Sequence, residues 1–329
     1  MTRHSLAATA LVAFTTLASL LTGLPAQAAS PADGSSSERV APIPRAISLV
    51  GRDLHLSGGT VMRLPRAAGA TPVLLGTVGN GWIVASGGSF RLVRPDGGVR
   101  GIAGRNRTEL YVTEALSDDG NRILSASTDQ ADALYLRVVD LRGRELLDTW
   151  YQSLFGEISD VADGRVYVVG FSGTRAIDDR DGTVTRVVQR PTALVAAEHD
   201  VVFVGTRKRP GLVGPTSLSG PGTPAWRARF DPVAVSPDGR YVVGREGTVR
   251  SMRDGRVVRR VPVPKPRADE AFRFLGWGAT GRVLIERSVG QRRLLTSCAV
   301  PRGACRQVGS TTGYVSLPTS HAGPYLQPS

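Results

Sequence analysis

Between residues 231 and 262 the chain reads DPVAVSPDGRYVVGREGTVRSMRDGRVVRRVP, four short apolar or alternating runs separated by three turns. Ser236-Pro237-Asp238-Gly239, Arg245-Glu246-Gly247 and Arg253-Asp254-Gly255 each supply the Gly or Asp that reverses a chain at little steric cost. Runs this short, joined this tightly, predict a four-stranded antiparallel meander. Such a sheet cannot cover both of its faces alone and needs neighbours of its own kind.

Relatives of this unit recur along the chain. Its second strand has counterparts at 53–56, 82–86, 122–126, 165–170, 200–205 and 282–286. Most are preceded by a Gly-containing turn, such as Gly79-Asn80-Gly81, Asp118-Asp119-Gly120 or Asp163-Gly164; Glu198-His199 takes that place in one unit. Turns between third and fourth strands recur too, at Pro95-Asp96-Gly97, Arg142-Gly143, Asp181-Gly182 and Arg302-Gly303. Spacing centres near the roughly 40–45 residues of a propeller blade, and sustained helical periodicity is absent. The expected fold is an all-β propeller of four-stranded antiparallel blades. Seven second strands favour seven blades. The first unit is short, so either a strand from 313–317 completes it, or the ring has six blades plus a partial one.

Residues 1–28 read as a signal peptide: a basic start at Arg3 and His4, an apolar run, then Ala26-Gln27-Ala28 as a small-residue cleavage site. No Cys lies near residue 28, so a lipoprotein is not expected, and no later run reaches membrane-span length. Residues 29–44 are small, polar and Pro-rich, the composition of a disordered linker. The propeller is assigned to 45–318 and a flexible tail to 319–329. The expected localisation is extracellular or cell envelope. Cys298 and Cys305, the two cysteines, flank the turn at Pro301-Arg302-Gly303, so an oxidising compartment favours a disulfide stapling one hairpin.

Formal charge is +13, or +12 without residues 1–28, where Arg3 is the one counted charge. Lys208 and Lys265 are the only lysines, so the basicity is an arginine bias. It reads either as codon composition or as a preference for a polyanion. Export removes most opportunity to meet nucleic acid.

Ser236-Pro237-Asp238-Gly239-Arg240 followed by Tyr-Val-Val resembles the repeat of TolB-type and tryptophan–aspartate-like propellers. Leu116-Ser117-Asp118-Asp119-Gly120 is a looser copy. The whole resembles secreted actinobacterial propeller proteins in which a cysteine hairpin closes the last blade. That resemblance implies a fold and an extracytoplasmic setting, but no reaction.

Catalytic signatures are missing. The mature chain has only His55, His199 and His321, none placed for a triad, and no G-x-S-x-G surrounds a serine. Asp178-Asp179-Arg180-Asp181-Gly182 falls out of step with a calcium loop, since residue 177 is Ile, and Asx turns explain it better. No metal or cofactor is assigned. Tryptophans 82, 150, 226 and 277 are expected to pack between blades.

In a four-stranded meander the second-to-third loops and the loops entering the next blade share one face. Here they are the longer loops, and they carry Arg105, Arg107, Arg207, Lys208, Arg209, Arg227, Arg229, Lys265 and Arg267. Glu109, Asp129, Asp132, Asp269 and Glu270 share them. The expected function is a non-enzymatic, monomeric binding scaffold for a protein or an anionic envelope polymer, docked on this face. The alternative is a propeller hydrolase or lyase that acts on polysaccharide at the central channel.

Overall fold

The computed structural model describes residues 43–104, 112–128, 133–152, 154, 156–206, 209–261, 270–278, 281–313 and 315–318. These form 28 strands in seven four-stranded antiparallel sheets, with two single 3₁₀ turns, Arg66–Ala68 and Ala197–His199. Blades 2 to 7 follow the chain, spanning residues 73–104, 112–151, 157–188, 192–229, 232–260 and 270–311. First strands of successive blades touch one another, so they line the axis and fourth strands form the rim.

Blade 1 is built from both ends of the chain. Its order is Val315–Ser316, Ala46–Val50, Asp53–Leu56, Val61–Arg63. The C-terminal strand is innermost and pairs through Leu49 with Ser316 and Val50 with Val315. This is the two-ended closure that the short first unit suggested. It also shifts one expectation: Asp53–Leu56 is third in its sheet, not second. The Gly51-Arg52 turn therefore opens on the long-loop face.

Burial follows position in the blade. Inner and middle strands are covered by a neighbouring blade on each side, so Gly81–Ser86 is buried throughout and Leu134–Asp140 nearly so. Their sequences, GWIVAS and LYLRVVD, lose polar alternation for that reason. Rim strands such as Val184–Val188 are mostly exposed. In blades 2, 4, 5, 6 and 7 the first strand carries one extra residue against the second. Such bulges add twist where strands crowd the axis.

Apolar clusters fill the seams between blades. Trp82 and Trp277 are each 1% exposed, and their indole N–H groups donate to Pro44 O at 3.1 Å and Ala234 O at 3.0 Å. Burying a side chain of this size stabilises by about 2–3 kcal/mol. Trp226 and Trp150 are only partly buried. Trp226 packs edge-on against Phe203, and Trp150 lies 5.1 Å from the Tyr135 ring.

Polar links cross all seven seams. Ala46 N–H donates to Thr77 Oγ1 between blades 1 and 2 (2.8 Å), and Arg137 Nη1 to Gly104 O between 2 and 3 (2.5 Å). Asp163 N–H donates to Asp118 Oδ2 between blades 3 and 4, and Ala197 N–H to Asp160 Oδ2 between 4 and 5. Trp226 Nε1 reaches Met252 O between blades 5 and 6, Trp277 joins 6 to 7, and Arg273 Nη2 reaches Val315 O to close 7 on 1.

Candidate functional site

Antiparallel pairing fixes which connections share an end of the ring. The strand ends that bracket 105–111, 129–132, 207–208 and 262–269 all open on one face, together with the tight hairpins at 51–52, 87–88, 171–172 and 290–291. Of the expected binding residues, Arg105, Arg107, Arg207, Lys208, Lys265 and Arg267 lie outside the described residues. Arg209 opens the third strand of blade 5 and pairs with Thr206. Two assignments change. Ala228–Arg229 is the fourth strand of blade 5, so Arg227 and Arg229 sit on the rim and not in a loop entering blade 6. Trp150 lies on the fourth strand of blade 3.

The described part of this face presents Phe171, 84% exposed at the tip of a two-residue hairpin between Arg165–Gly170 and Gly173–Asp178. A large aromatic held in water on a rigid hairpin is the kind of side chain that interfaces bury. Arg52, at the 51–52 hairpin, is committed internally. It donates to the carbonyls of Leu64, Pro65 and Gly69 and so pins the segment leading into blade 2.

Carboxylates near the axis at this end are turned into the seams. Glu286 has 4% side-chain exposure and accepts from Arg273 at 3.1 Å and Arg293 at 3.0 Å. Glu270, at 3%, pairs with Arg287 at 2.6 Å, and Arg287 lies over the Phe272 ring. Glu114 is 5% exposed within blade 3, beside Ser125 in the strand register. Buried carboxylates held by guanidinium groups act as structural pairs, because each charge compensates the desolvation of the other.

The opposite face is made of self-contained turns. Ser117 Oγ and Ser236 Oγ each donate to the Asp two residues on, Asp119 and Asp238, at 2.6 Å. Asp96, Asp140, Asp178, Asp181 and Asp254 accept backbone N–H groups in their own turns. Burial works against ionisation of Asp119, yet the bonds from Ser117 and Asn121 and the Arg122 charge hold its carboxyl below the usual range. Asp178-Asp179-Arg180-Asp181-Gly182 uses its carboxylates in the same way, as the Asx reading expected. Asp179 is the exception within it: fully buried, it pairs across the seam with Arg122, which also meets Asp119 at 3.2 Å. Burial raises the Asp179 carboxyl despite that partner.

This face is not uniformly tight. The connection 218–227 in blade 5 runs to ten residues, longer than the meander pattern suggested. Near the axis, burial pushes Asp160 up to about 6, with Glu198 and Asp118 adding to the shift against N–H bonds from Ala197 and Val161. His199 meets Glu198 at 3.1 Å in its turn, and burial lowers His55. His55 lies opposite the buried Ser48 in the strand register of blade 1, and His199 stands in a turn. Cys298 and Cys305 form a disulfide, directly opposed in register with a Cα separation of 4.0 Å.

Sequence reasoning missed the buried polar side of blade 3. Ser125, Ser127 and Arg137 are 7%, 3% and 8% exposed, and Arg137 pairs with Glu145 at 3.0 Å. The signal was available in RILSAST, where serines alternate with Leu124 and Ala126 on a strand covered on both sides.

No family model matches the sequence, and no curated protein matches it. Among solved structures the chain is similar to the AfRom2 CNH domain, with a TM-score of 0.52 and 9% identity over 78% of this chain and 95% of that one. It is also similar to virginiamycin B lyase from Staphylococcus aureus, at TM-score 0.47 and 14% identity, over 72% and 83% of the two chains. A chain of the mitotic checkpoint complex matches at TM-score 0.46 and 12% identity, over 91% and 90%. At such identities the likeness shows the propeller fold alone.

Proposed function

We propose that this protein is an exported, non-catalytic propeller scaffold that binds a protein or an anionic envelope polymer through its long-loop face. The observation that carries the reading is Phe171, 84% exposed on a rigid two-residue hairpin of that face. Its setting agrees with the reading, because the strand ends around it bracket the connections that carry Arg105, Arg107, Arg207, Lys208, Lys265 and Arg267. Longer loops on a rigid ring are where recognition is commonly grafted. The disulfide agrees with an oxidising compartment, as does the leader-like sequence of residues 1–28. Likeness to TolB-type repeats at residues 236–240 supports the same setting. Against a polysaccharide hydrolase stands the engagement of Glu270 and Glu286 by arginines within the seams.

The test is a pull-down from envelope fractions with purified protein. Replacing Arg207, Lys208 and Arg209 by Ser, or Phe171 by Ser, is expected to abolish capture of the partner while the melting temperature holds. Unchanged capture by both variants would overturn the proposal.

A further inference from the structure

The arginine bias of this chain is not spread evenly over the ring. Three segments at the outer edge of blades 5, 6 and 7 concentrate it: 226–229, 252–260 and 299–306. Together they hold eight arginines and one carboxylate, Asp254, a net +7 (8 − 1) out of +13 for the chain. Blade 5 contributes Arg227 and Arg229, blade 6 Arg253, Arg256, Arg259 and Arg260, and blade 7 Arg302 and Arg306. All but Arg259 are exposed.

The three segments form one continuous surface. Trp226 Nε1 donates to Met252 O at 2.8 Å, which seats the blade 5 edge on the blade 6 turn. Gly255 in that turn has φ +72°, and a Cβ there would come within 2.5 Å of the Trp226 ring, so the approach is close. Arg259 then reaches across to blade 7, donating to Ala299 O and to Cys305 Sγ at 3.4 Å. Arg302 and Arg306 stand on the hairpin that it holds, the one that the disulfide closes.

Elsewhere in the ring several arginines meet carboxylates. Arg63 pairs with Asp53, Arg122 with Asp179, Arg137 with Glu145 and Arg144 with Asp140. The seven exposed rim arginines make no ion pair with a described carboxylate within 4 Å, except for the electrostatic pull of Arg253 and Arg256 on Asp254. Unmatched guanidinium groups on a rigid edge are phosphate-binding equipment, each offering a planar fork of donors.

The geometry points to a docking rim for a linear polyol-phosphate polymer of the cell envelope on blades 5 to 7. The rim is the convex outside of a ring, covering three of seven blades. A flexible polyanion can follow that curve from blade to blade. Single-stranded nucleic acid is normally held by exposed aromatics interleaved with the charges. The exposed large hydrophobics among the described residues are Val61, Phe171, Val184 and Val308, so the rim has no stacking platform. This inference shares the exported-scaffold reading only for the source of the polymer, and it uses a different surface.

The experiment measures binding of the purified full chain to poly(glycerol phosphate) at 0.05–0.3 M salt, a range on the order of that over which counterion release is read. Wild-type affinity is expected to fall steeply with salt. Arg253→Ser/Arg256→Ser/Arg302→Ser is expected to bind roughly 10- to 100-fold more weakly at unchanged melting temperature. Should that variant melt early, Arg227→Ser/Arg229→Ser/Arg306→Ser provides the same readout from the other residues. The 207–209 Ser variant is expected to stay within about twofold of wild type, since those residues lie outside the rim. Wild-type affinity in both rim variants would overturn the inference, as would tighter rim-dependent binding of phosphatidylglycerol vesicles or oligo-dT than of the polymer. Loss of binding in the 207–209 variant alone would overturn the rim and leave the long-loop reading standing.

Discussion

Asp160 sits on the first strand of blade 4, where it accepts the Ala197 N–H of blade 5 at 2.7 Å. Its carboxyl is pushed up to about 6, from an ordinary value of 3.8, mainly by burial. A carboxyl raised in the fold binds its proton more tightly there than in the unfolded chain. Its contribution to stability is therefore present at low pH and is lost as pH rises through about 6. Comparing wild type with Asp160→Asn cancels the other titrating groups. Wild type is expected to gain about 2 kcal/mol relative to the variant between pH 7 and pH 4.5, read from urea unfolding. A difference that stays flat with pH would contradict the assignment. The sequence marked Asp118, Asp119 and Asp178 as turn residues, and the turns are there. It could not mark Asp160 or Asp179 as carboxylates set against a neighbouring blade, because that blade lies roughly 40 residues away in the chain.

At the scale of the element, blades were legible wherever the first and second strands are joined by Gly or Asp turns. Residues 236–239 and 163–164 are examples, because positive φ at Gly239, Asp163 and Gly164 demands such residues. Blade 1 was misread by one strand. Its innermost strand is only Val315–Ser316, too short to carry a period, and it comes from the far end of the chain. Rim strands were also harder to read: Ala228–Arg229 has two residues and one covered side, so nothing distinguishes it from a loop. The cysteine hairpin was legible from spacing alone. Removing it with Cys298→Ser/Cys305→Ser is expected to cost about 2–3 kcal/mol, from the short loop that the bond closes. Denaturant midpoints with and without reductant check this, and identical midpoints for variant and wild type would contradict it.

For the molecule as a whole, the distribution of charge was the least legible property. The residues with +7 at the rim look like scattered arginines until the ring brings blades 5, 6 and 7 edge to edge. Both surfaces proposed for binding exist only if the ring closes. Closure rests on Val315–Ser316: two backbone pairings, the Leu74 N–H bond to Ser316 Oγ at 2.9 Å, the Arg273 bond to Val315 O, and burial of Val315 and Leu317 at 1% exposure each. Burying those two apolar side chains alone is worth about 3–5 kcal/mol, a large share of a typical folding free energy. The most direct measurement is thermal unfolding of a chain that ends at residue 312, followed beside the full chain by calorimetry. The closed ring predicts loss of the single cooperative transition, or a melting temperature lower by roughly 10 °C or more. A truncated chain that melts like the full one would show that the C-terminal strand does not close the ring.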